Sequence, residues 1–299
     1  MLSICIPIYN YDVTFLVSAL KEQIIHENLI CEVLLVDDCS SDMELFERNK
    51  KLVDNNTVSL IRLDENSGRS LVRNFLASKA SYPSLLFLDC DTCPVNDNFL
   101  LNYYLEADSD VVVGGIAYRD KMPDERCSLR WNYGRRREEI KASLRVQNPY
   151  ASFMTGNFMV KKSVFERIKF NESITQYGHE DTLFGIQLKQ LGIAIKHIDN
   201  PVFHEGIESN ETFIAKTKAG IENLIYLYRN TNNREDFARH VKLVKYYRII
   251  CSMGLVPIVA WCYRVGESRL LTCLNKKEPN LKLFDVFKLG YLCNVSLKS

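Results

Sequence analysis

The chain has 299 residues, 46% of them hydrophobic and 25% charged, with a formal net charge of +1. This is the balance of a globular protein with one large domain, or a domain and an appendage. The near-zero charge excludes a dedicated nucleic-acid binder, which needs a basic surface to meet phosphates.

Leu2 to Tyr9 is an apolar run that reads as a buried strand. It lacks a basic leading segment and contains Pro7, so it does not read as a signal peptide. Thr14 to Ile25 carries Phe15, Leu16, Ala19, Leu20 and Ile24 at helical spacing. Glu32 to Val36 is a second strand, ending at Asp37-Asp38. Ser41-Asp42-Met43-Glu44 predicts a capping box opening a helix to about Val53. Val58 to Leu63 is a third strand. Glu65 to Gly68 is a turn, and Arg69 to Ser78 is a short helix bearing Arg73 and Asn74.

Leu85 to Leu88 suits a strand buried on both faces, and it ends in Asp89-Cys90-Asp91. In an extended backbone the two carboxylates would project together. Such a pair needs a positive partner between them, and a hard divalent cation carrying a diphosphate supplies one. An ordinary loop pair is the plain alternative. Cys90 and Cys93 form a C-x-x-C, but no second ligand pair accompanies them. The ten cysteines are scattered, several in apolar runs (Cys5, Cys31, Cys251, Cys262), as expected for buried, reduced thiols in a cytosolic protein.

The alternation of strands and helices predicts an α/β fold with a parallel sheet covered on both faces. Ligands of such sheets bind beyond the carboxyl ends of the strands, where Pro7 to Asn10, Asp37-Asp38 and Asp89 to Asp91 all fall. No glycine-rich phosphate loop follows the first strand.

Phe99 to Glu106 reads as a helix, and Asp110 to Tyr118 as a strand holding Gly114-Gly115. Leu129 to Val146 is basic, with Arg130, Arg135, Arg136, Arg137, Lys141 and Arg145. It is either a grip for a phosphate-bearing group or a solvated helix face. Thr155 to Val160 is strand-like, and Gly156 allows close approach of a ligand. His179-Glu180-Asp181 opens a helix stopped by Gly192, and a helix amino terminus favours ionised carboxylates. These are either a general base or helix-capping acids. His204 is either a third metal ligand or a structural histidine.

From residue 208 the character changes. Phe213 to Tyr228 and Phe237 to Ile250 read as helices. Ile249 to Tyr263 is an apolar run flanked by Lys245, Arg248 and Arg264, short for a bilayer span and interrupted by Pro257. It is either an interfacial membrane segment or a helix packed on the preceding domain. Leu281 to Leu292 is apolar with interspersed lysines.

Taken in order, Ile6 to Asn10, Val36 to Asp38, Glu65 to Gly68 with Arg73-Asn74, Asp89 to Asp91, Thr155 to Asn157 and His179 to Asp181 resemble the inverting family-2 glycosyltransferases of GT-A fold. The resemblance implies a doubly wound, mostly parallel sheet with a Rossmann-like nucleotide-binding half in a catalytic domain over residues 1–207. Residues 208–299 form a mainly helical extension. It implies single-displacement transfer of one sugar from a nucleotide sugar, expected to be a UDP-sugar, to an acceptor hydroxyl. Bacterial cell-surface polysaccharide or glycoconjugate assembly is the expected setting. Pro7, Tyr9, Asn10, Asp38, Asn66, Gly68, Arg73, Asp89, Cys90, Gly156 and Asn157 would bind the donor. Asp91, with Asp89 and His204, would hold Mn²⁺ or Mg²⁺. Asp181 would be the base and Glu180 would orient acceptor or base. Arg135, Arg136, Arg137 and His179 would grip the acceptor or a phosphate, the acceptor being a saccharide that is free or lipid-linked. The expected location is cytoplasmic, either free or peripheral on the cytoplasmic face of the inner membrane. The Gln-X-X-Arg-Trp motif of processive synthases is missing. A nucleotidyltransferase and a non-catalytic nucleotide-sugar binding module are the competing readings.

Overall fold

The apolar runs become strands because alternate residues can be buried on opposite faces of one sheet. The computed structural model describes residues 1–54, 56–174, 177–231 and 233–298. Its strands are β1 (Leu2–Ile8), β2 (Cys31–Asp37), β3 (Val58–Arg62), β4 (Ser84–Leu88), β5 (Thr92–Pro94), β6 (Val111–Val113), β7 (Ile116–Ala117), β8 (Asn157–Lys161), β9 (Ile195–His197) and β10 (Val202–His204). One sheet has the order β3-β2-β1-β4-β8-β6-β9, and β5-β10-β7 form a second. The first four strands are mutually parallel, and only β8 runs against its neighbours in the large sheet. Pro7 is tolerated because β1 pairs with β4 only through Cys5, so the missing N–H falls beyond the doubly paired stretch.

The chain divides into two compact units. The first is Met1–Tyr118, Glu138–Thr175 and Leu183–Gly206; the second is Arg119–Arg137, Gln176–Thr182 and Ile207–Ser299. In the first unit Ile4, Ile6, Val33, Leu35, Leu86 and Leu88 pack against Leu16, Val17 and Leu20 of helix Thr14–His26. Their sequence neighbours Cys5, Leu34, Val36, Leu85 and Phe87 face the other way, toward Val72 and Leu76 of helix Arg69–Lys79. Phe158 of β8 stacks on Phe87 at 5.0 Å and meets Phe153 edge-on at 5.0 Å, with Phe170 and Phe184 around it.

Several expectations are corrected. Helix Met43–Lys50 is capped by Asp42, whose Oδ1 accepts from the N–H groups of Glu44 and Leu45 at 3.1 Å, and not by Ser41. The strand expected over 110–118 is broken at Gly114-Gly115. There the buried Arg145 guanidinium enters and donates to the carbonyls of Val113, Gly114, Ile140 and Ile198. Gly115 has φ +94°, and a Cβ there would lie 1.9 Å from Arg145 Nη1. The basic stretch is no solvated helix face. It is a helix Ser128–Tyr133, a π-helical turn Gly134–Glu138 and a helix Ala142–Arg145, with Arg130 and Arg145 buried.

In the second unit, helices Asn210–Asn230, Arg234–His240, Lys242–Ser252, Val256–Leu274 and Leu281–Ser296 enclose two apolar clusters around Phe284 and Phe287, and around Ile225 and Leu292. The helix expected over 237–250 is two, parted where Val241 is extended. The apolar run 249–263 is likewise split, the flanking helices bending by 118°. Gly254 lies in the left-handed region at φ +69°, and Pro257 sits in the first turn, where its missing N–H costs nothing. Among the described residues no single helix is long and apolar enough to cross a membrane. Cys251 and Cys262 are exposed, not buried, because they fall on the outer faces of these helices; no cysteine among those described is in a disulfide.

Phe158→Ala should lower stability by about 3–5 kcal/mol, since a fully buried ring at the centre of an aromatic cluster leaves a cavity; urea unfolding measures this. Buried His197 accepts from Arg145 Nε at Nδ1 (3.2 Å) and donates from Nε2 to the Pro149 carbonyl (3.0 Å). Burial holds its pKa below the usual 6.5; the Pro149 bond opposes this and Arg145 reinforces it. The unfolded chain therefore takes up the proton first, and stability should fall as pH drops below 6.5. Urea midpoints across that range should show a shallower loss in His197→Asn.

Candidate active site

Both faces of the large sheet are covered, so polar side chains gather where the strands end. At the end of β1, Asn10 adopts φ 49°. Its N–H donates to Ser40 Oγ at 2.9 Å, and its side-chain oxygen accepts from the Asp42 N–H at 3.0 Å. Tyr9 beside it is half exposed. After β2, buried Asp37 accepts from the N–H and hydroxyl of Ser40. Asp38 accepts from the N–H groups of Ser67 (2.7 Å) and Gly68 (3.0 Å), while the Asn66 amide donates to its carbonyl. Burial pushes the Asp38 carboxyl up despite those two bonds, and Asp37 adds to the rise. Asp38 thus ties down the turn before helix Arg69–Lys79, where Gly68 needs φ +83°.

The Asp89-Cys90-Asp91 segment is not extended. The Thr92 N–H returns to the Asp89 carbonyl at 3.2 Å, closing a turn. The expectation that both carboxylates project side by side is therefore corrected, and each meets a different side chain. Asp89 accepts from Arg73 Nη2 at 2.6 Å, and Arg73 is 3% exposed in its side chain. Gly156 leaves room for this pair, since a Cβ there would be 3.1 Å from Asp89 Oδ2. Burial, then the flanking Asp91 and Asp89, push the Cys90 thiol far up, which keeps it protonated and argues against a redox C-x-x-C.

Asp91 Oδ2 lies 3.1 Å from His204 Nε2, across 113 residues of chain. Burial raises the Asp91 carboxyl, but the bond and charge of His204, with Arg69 adding, outweigh it and hold the group below the usual carboxylate range. The Glu205 N–H donates to the Asp91 carbonyl at 2.8 Å. At Gly206 a Cβ would stand 2.3 Å from Asp91 Oδ2, so no other residue fits. The Tyr118 ring meets His204 edge-on at 5.7 Å, and its hydroxyl donates to Glu138. Tyr11 is pushed up to about 12 by burial and then by Asp91. Sequence reasoning singled out none of Tyr11, Tyr118, Glu205 and Gly206; the run His204-Glu205-Gly206 closing β10 was the available signal. No group of three His, Cys, Asp or Glu side chains disposed for a metal occurs among the described residues.

Asn157, expected at the donor, is fully buried and engaged in the scaffold: its amide donates to the Gly115 and Asn200 carbonyls, and its oxygen accepts from the Tyr103 hydroxyl at 2.6 Å.

In the second unit Glu180 and Asp181 open helix Glu180–Gln190. His179 is at φ 72°, which only a special turn permits, and the Asn223 amide holds the Gly178 carbonyl at 2.6 Å. Asp181 Oδ1 accepts from the Thr182 N–H at 2.6 Å, and His179 Nδ1 approaches Thr182 Oγ1 at 3.3 Å. Burial keeps His179 below its usual range, opposed by Glu180. Arg135 pairs with Asp120 and lies over Trp131, Arg137 pairs with Asp285, and Arg136 is exposed.

The fold is that of the GT-A glycosyltransferases. It is similar to that of a mannosyltransferase from Pyrobaculum calidifontis solved with GDP-Man and Mn²⁺ (TM-score 0.54, 13% identity, 99% of this chain and 86% of that one). S. aureus TarS is also similar (TM-score 0.51, 17% identity, 97% of this chain and 54% of that one). Residues 3–169 match Glycosyl transferase family 2, and the chain belongs to that family. Residues 135–209 also match a family described as the N-terminal domain of galactosyltransferase. An uncharacterized glycosyltransferase of Haemophilus influenzae is 36% identical over 95 residues, 31% of this chain and 30% of that protein's length.

Asp38→Ala should free the turn at 67–68 and leave two N–H groups without their acceptor, costing about 1–3 kcal/mol. Faster hydrogen exchange at Ser67 and Gly68, with a lowered urea midpoint, would be the readout.

Proposed function

We propose that this protein transfers one sugar from a nucleotide sugar to an acceptor hydroxyl with inversion at the anomeric carbon. The observation that carries the reading is the Asp91–His204 pair at the carboxyl edge of the sheet in a family 2 chain. One carboxylate oxygen and one imidazole nitrogen stand 3.1 Å apart. Two ligands about 2.1 Å from an ion and at right angles would lie about 3 Å apart, so the pair fits Mn²⁺ or Mg²⁺. The glycine at 206 lets the backbone pack directly against Asp91 Oδ2. Asp91 and His204 would hold the ion. When bound, such an ion neutralises charge growing on a departing diphosphate.

The protein's own groups do the rest. Arg73 is fixed by Asp89 and so brings an oriented cation to the same rim. Tyr9 and the Asn10 turn offer a surface for the base, which we assign as uracil. The fixed turn at 66–68 supports the ribose side. Asp181, opening its helix, takes the proton of the acceptor hydroxyl, and Glu180 and His179 orient it. The acceptor oxygen bonds to the anomeric carbon as the bond from that carbon to the diphosphate oxygen breaks. The nucleoside diphosphate leaves with its electron pair, and a single displacement inverts the centre. The acceptor is a saccharide, free or lipid-linked, of the kind built into bacterial surface glycans.

Asp181→Asn should lower kcat by about 10²–10⁴-fold, the usual value of a positioned base. UDP affinity should stay unchanged in calorimetry. Asp91→Asn should weaken Mn²⁺-dependent UDP binding at least about tenfold. Equal UDP affinity for wild type and Asp91→Asn with Mn²⁺ present would sink the metal assignment. A Mn²⁺-dependent thermal shift with GDP in place of UDP would move the base assignment and keep the reaction.

A further inference from the structure

Helices Lys242–Ser252 and Val256–Leu274 bury one face each and leave another bare. Val244, Tyr247, Ala260 and Tyr263 are buried. Tyr246, Ile249 and Met253 are 57%, 46% and 63% exposed, and Ile258, Trp261 and Val265 are 57%, 59% and 68% exposed. Each trio recurs at intervals of three or four residues, which is one side of a helix. The two helices bend by 118° at a short break that holds Met253 and Gly254. Six large apolar side chains at this exposure, within twenty residues of chain, are more than a helix pair fully served by its own core needs.

The charge around the elbow is one-sided. From Lys242 to Val265 the chain holds Lys242, Lys245, Arg248 and Arg264 and no acidic residue. A cavity of about 520 Å³ beside the first helix is lined by Arg239, Lys245, Arg248 and Ile249, with Glu235 as its acidic member. Glu235 stands 3.9 Å from both Arg239 and Arg248, so the lining remains net positive. Apolar stripes carrying an outward tryptophan, with basic side chains along their edges, have the chemistry of an interface between acyl chains and anionic headgroups. A protein partner would be met as well by an uncharged or mixed rim.

We propose that this elbow docks on an anionic lipid bilayer. Met253, Ile258, Trp261 and Val265 enter the boundary between headgroups and acyl chains. Lys242, Lys245, Arg248 and Arg264 lie at the level of the phosphates. The cavity beside Arg239 and Arg248 receives a lipid phosphate. The helices do not span the bilayer; they lie along its surface.

The test uses the full chain with Trp131→Phe, which leaves Trp261 as its sole tryptophan. At low salt it should float with vesicles of phosphatidylcholine and phosphatidylglycerol, and Trp261 emission should shift to the blue. Lys242→Ala/Lys245→Ala should lower the partition coefficient roughly 30-fold, from about 1 kcal/mol for each basic side chain near an anionic surface. Ile258→Ser/Trp261→Ser should abolish flotation. All these positions are exposed, and unchanged thermal melting of the variants establishes that the fold is intact. Flotation that is absent, or equal with pure phosphatidylcholine, overturns the proposal. So does a concentration-dependent dimer in sedimentation that Trp261→Ser dissolves without any vesicle binding, which would assign the face to a second copy.

Discussion

Every polar feature of the first unit is arranged by one constraint: the central strands are buried on both faces. Leu2 to Ile8 and Leu85 to Leu88 contribute alternate side chains to two apolar layers, so a carboxylate within these runs would lie unsolvated between helices. Charged groups are tolerated where the strands stop. Asp37, Asp38, Asp89 and Asp91 all stand at or beyond carboxyl ends, each held by a named donor. The rim is therefore a product of core packing, and its chemistry follows from which donors the loops bring to it.

Where polar groups do enter the interior, they are satisfied almost completely. Arg145 answers four carbonyls where β6 and β7 separate, and Asn157 uses both amide hydrogens and its oxygen across the same junction. Gly114 and Gly115 are the residues that make room: a Cβ on either would strike Tyr103, Asn200 or Arg145. This junction sets where β7 ends and so where β10 and His204 lie, since β10 pairs with β7 over Val202 and Phe203. A buried arginine held chiefly by backbone carbonyls thus acts as a structural brace for the metal-ligand candidate, in a stretch whose composition resembles a phosphate grip.

The second unit solves a different problem. Its helices share two small cores of Leu and Ile with Tyr and Phe among them, and the supply of apolar residues exceeds what those cores enclose. Part of the excess, such as Tyr226 and Val286, lies on other helices, but six of these residues fall between 246 and 265, a stretch without acidic residues. The apolar run 249–263 is split between two helices that bend by 118°, so no single described helix carries it whole.

The sequence alone determined the strand and helix order of the first ninety or so residues, the two-sided burial and the crowding of Asp37-Asp38 and Asp89 to Asp91 at strand ends, because these depend on local periodicity and on where apolar runs stop. It also carried the family, through the order of short motifs. Only the tertiary structure decided which carboxylate has which partner. The turn at Asp89–Thr92 sends Asp89 to Arg73 and Asp91 to His204, contacts made across 16 and 113 residues. It also showed that Asn157 and Arg145 belong to the scaffold, and that Tyr11, Tyr118 and Gly206 belong to the rim. Such pairings arise from loops that pack after the sheet has formed, and loop packing leaves no period in the chain to read.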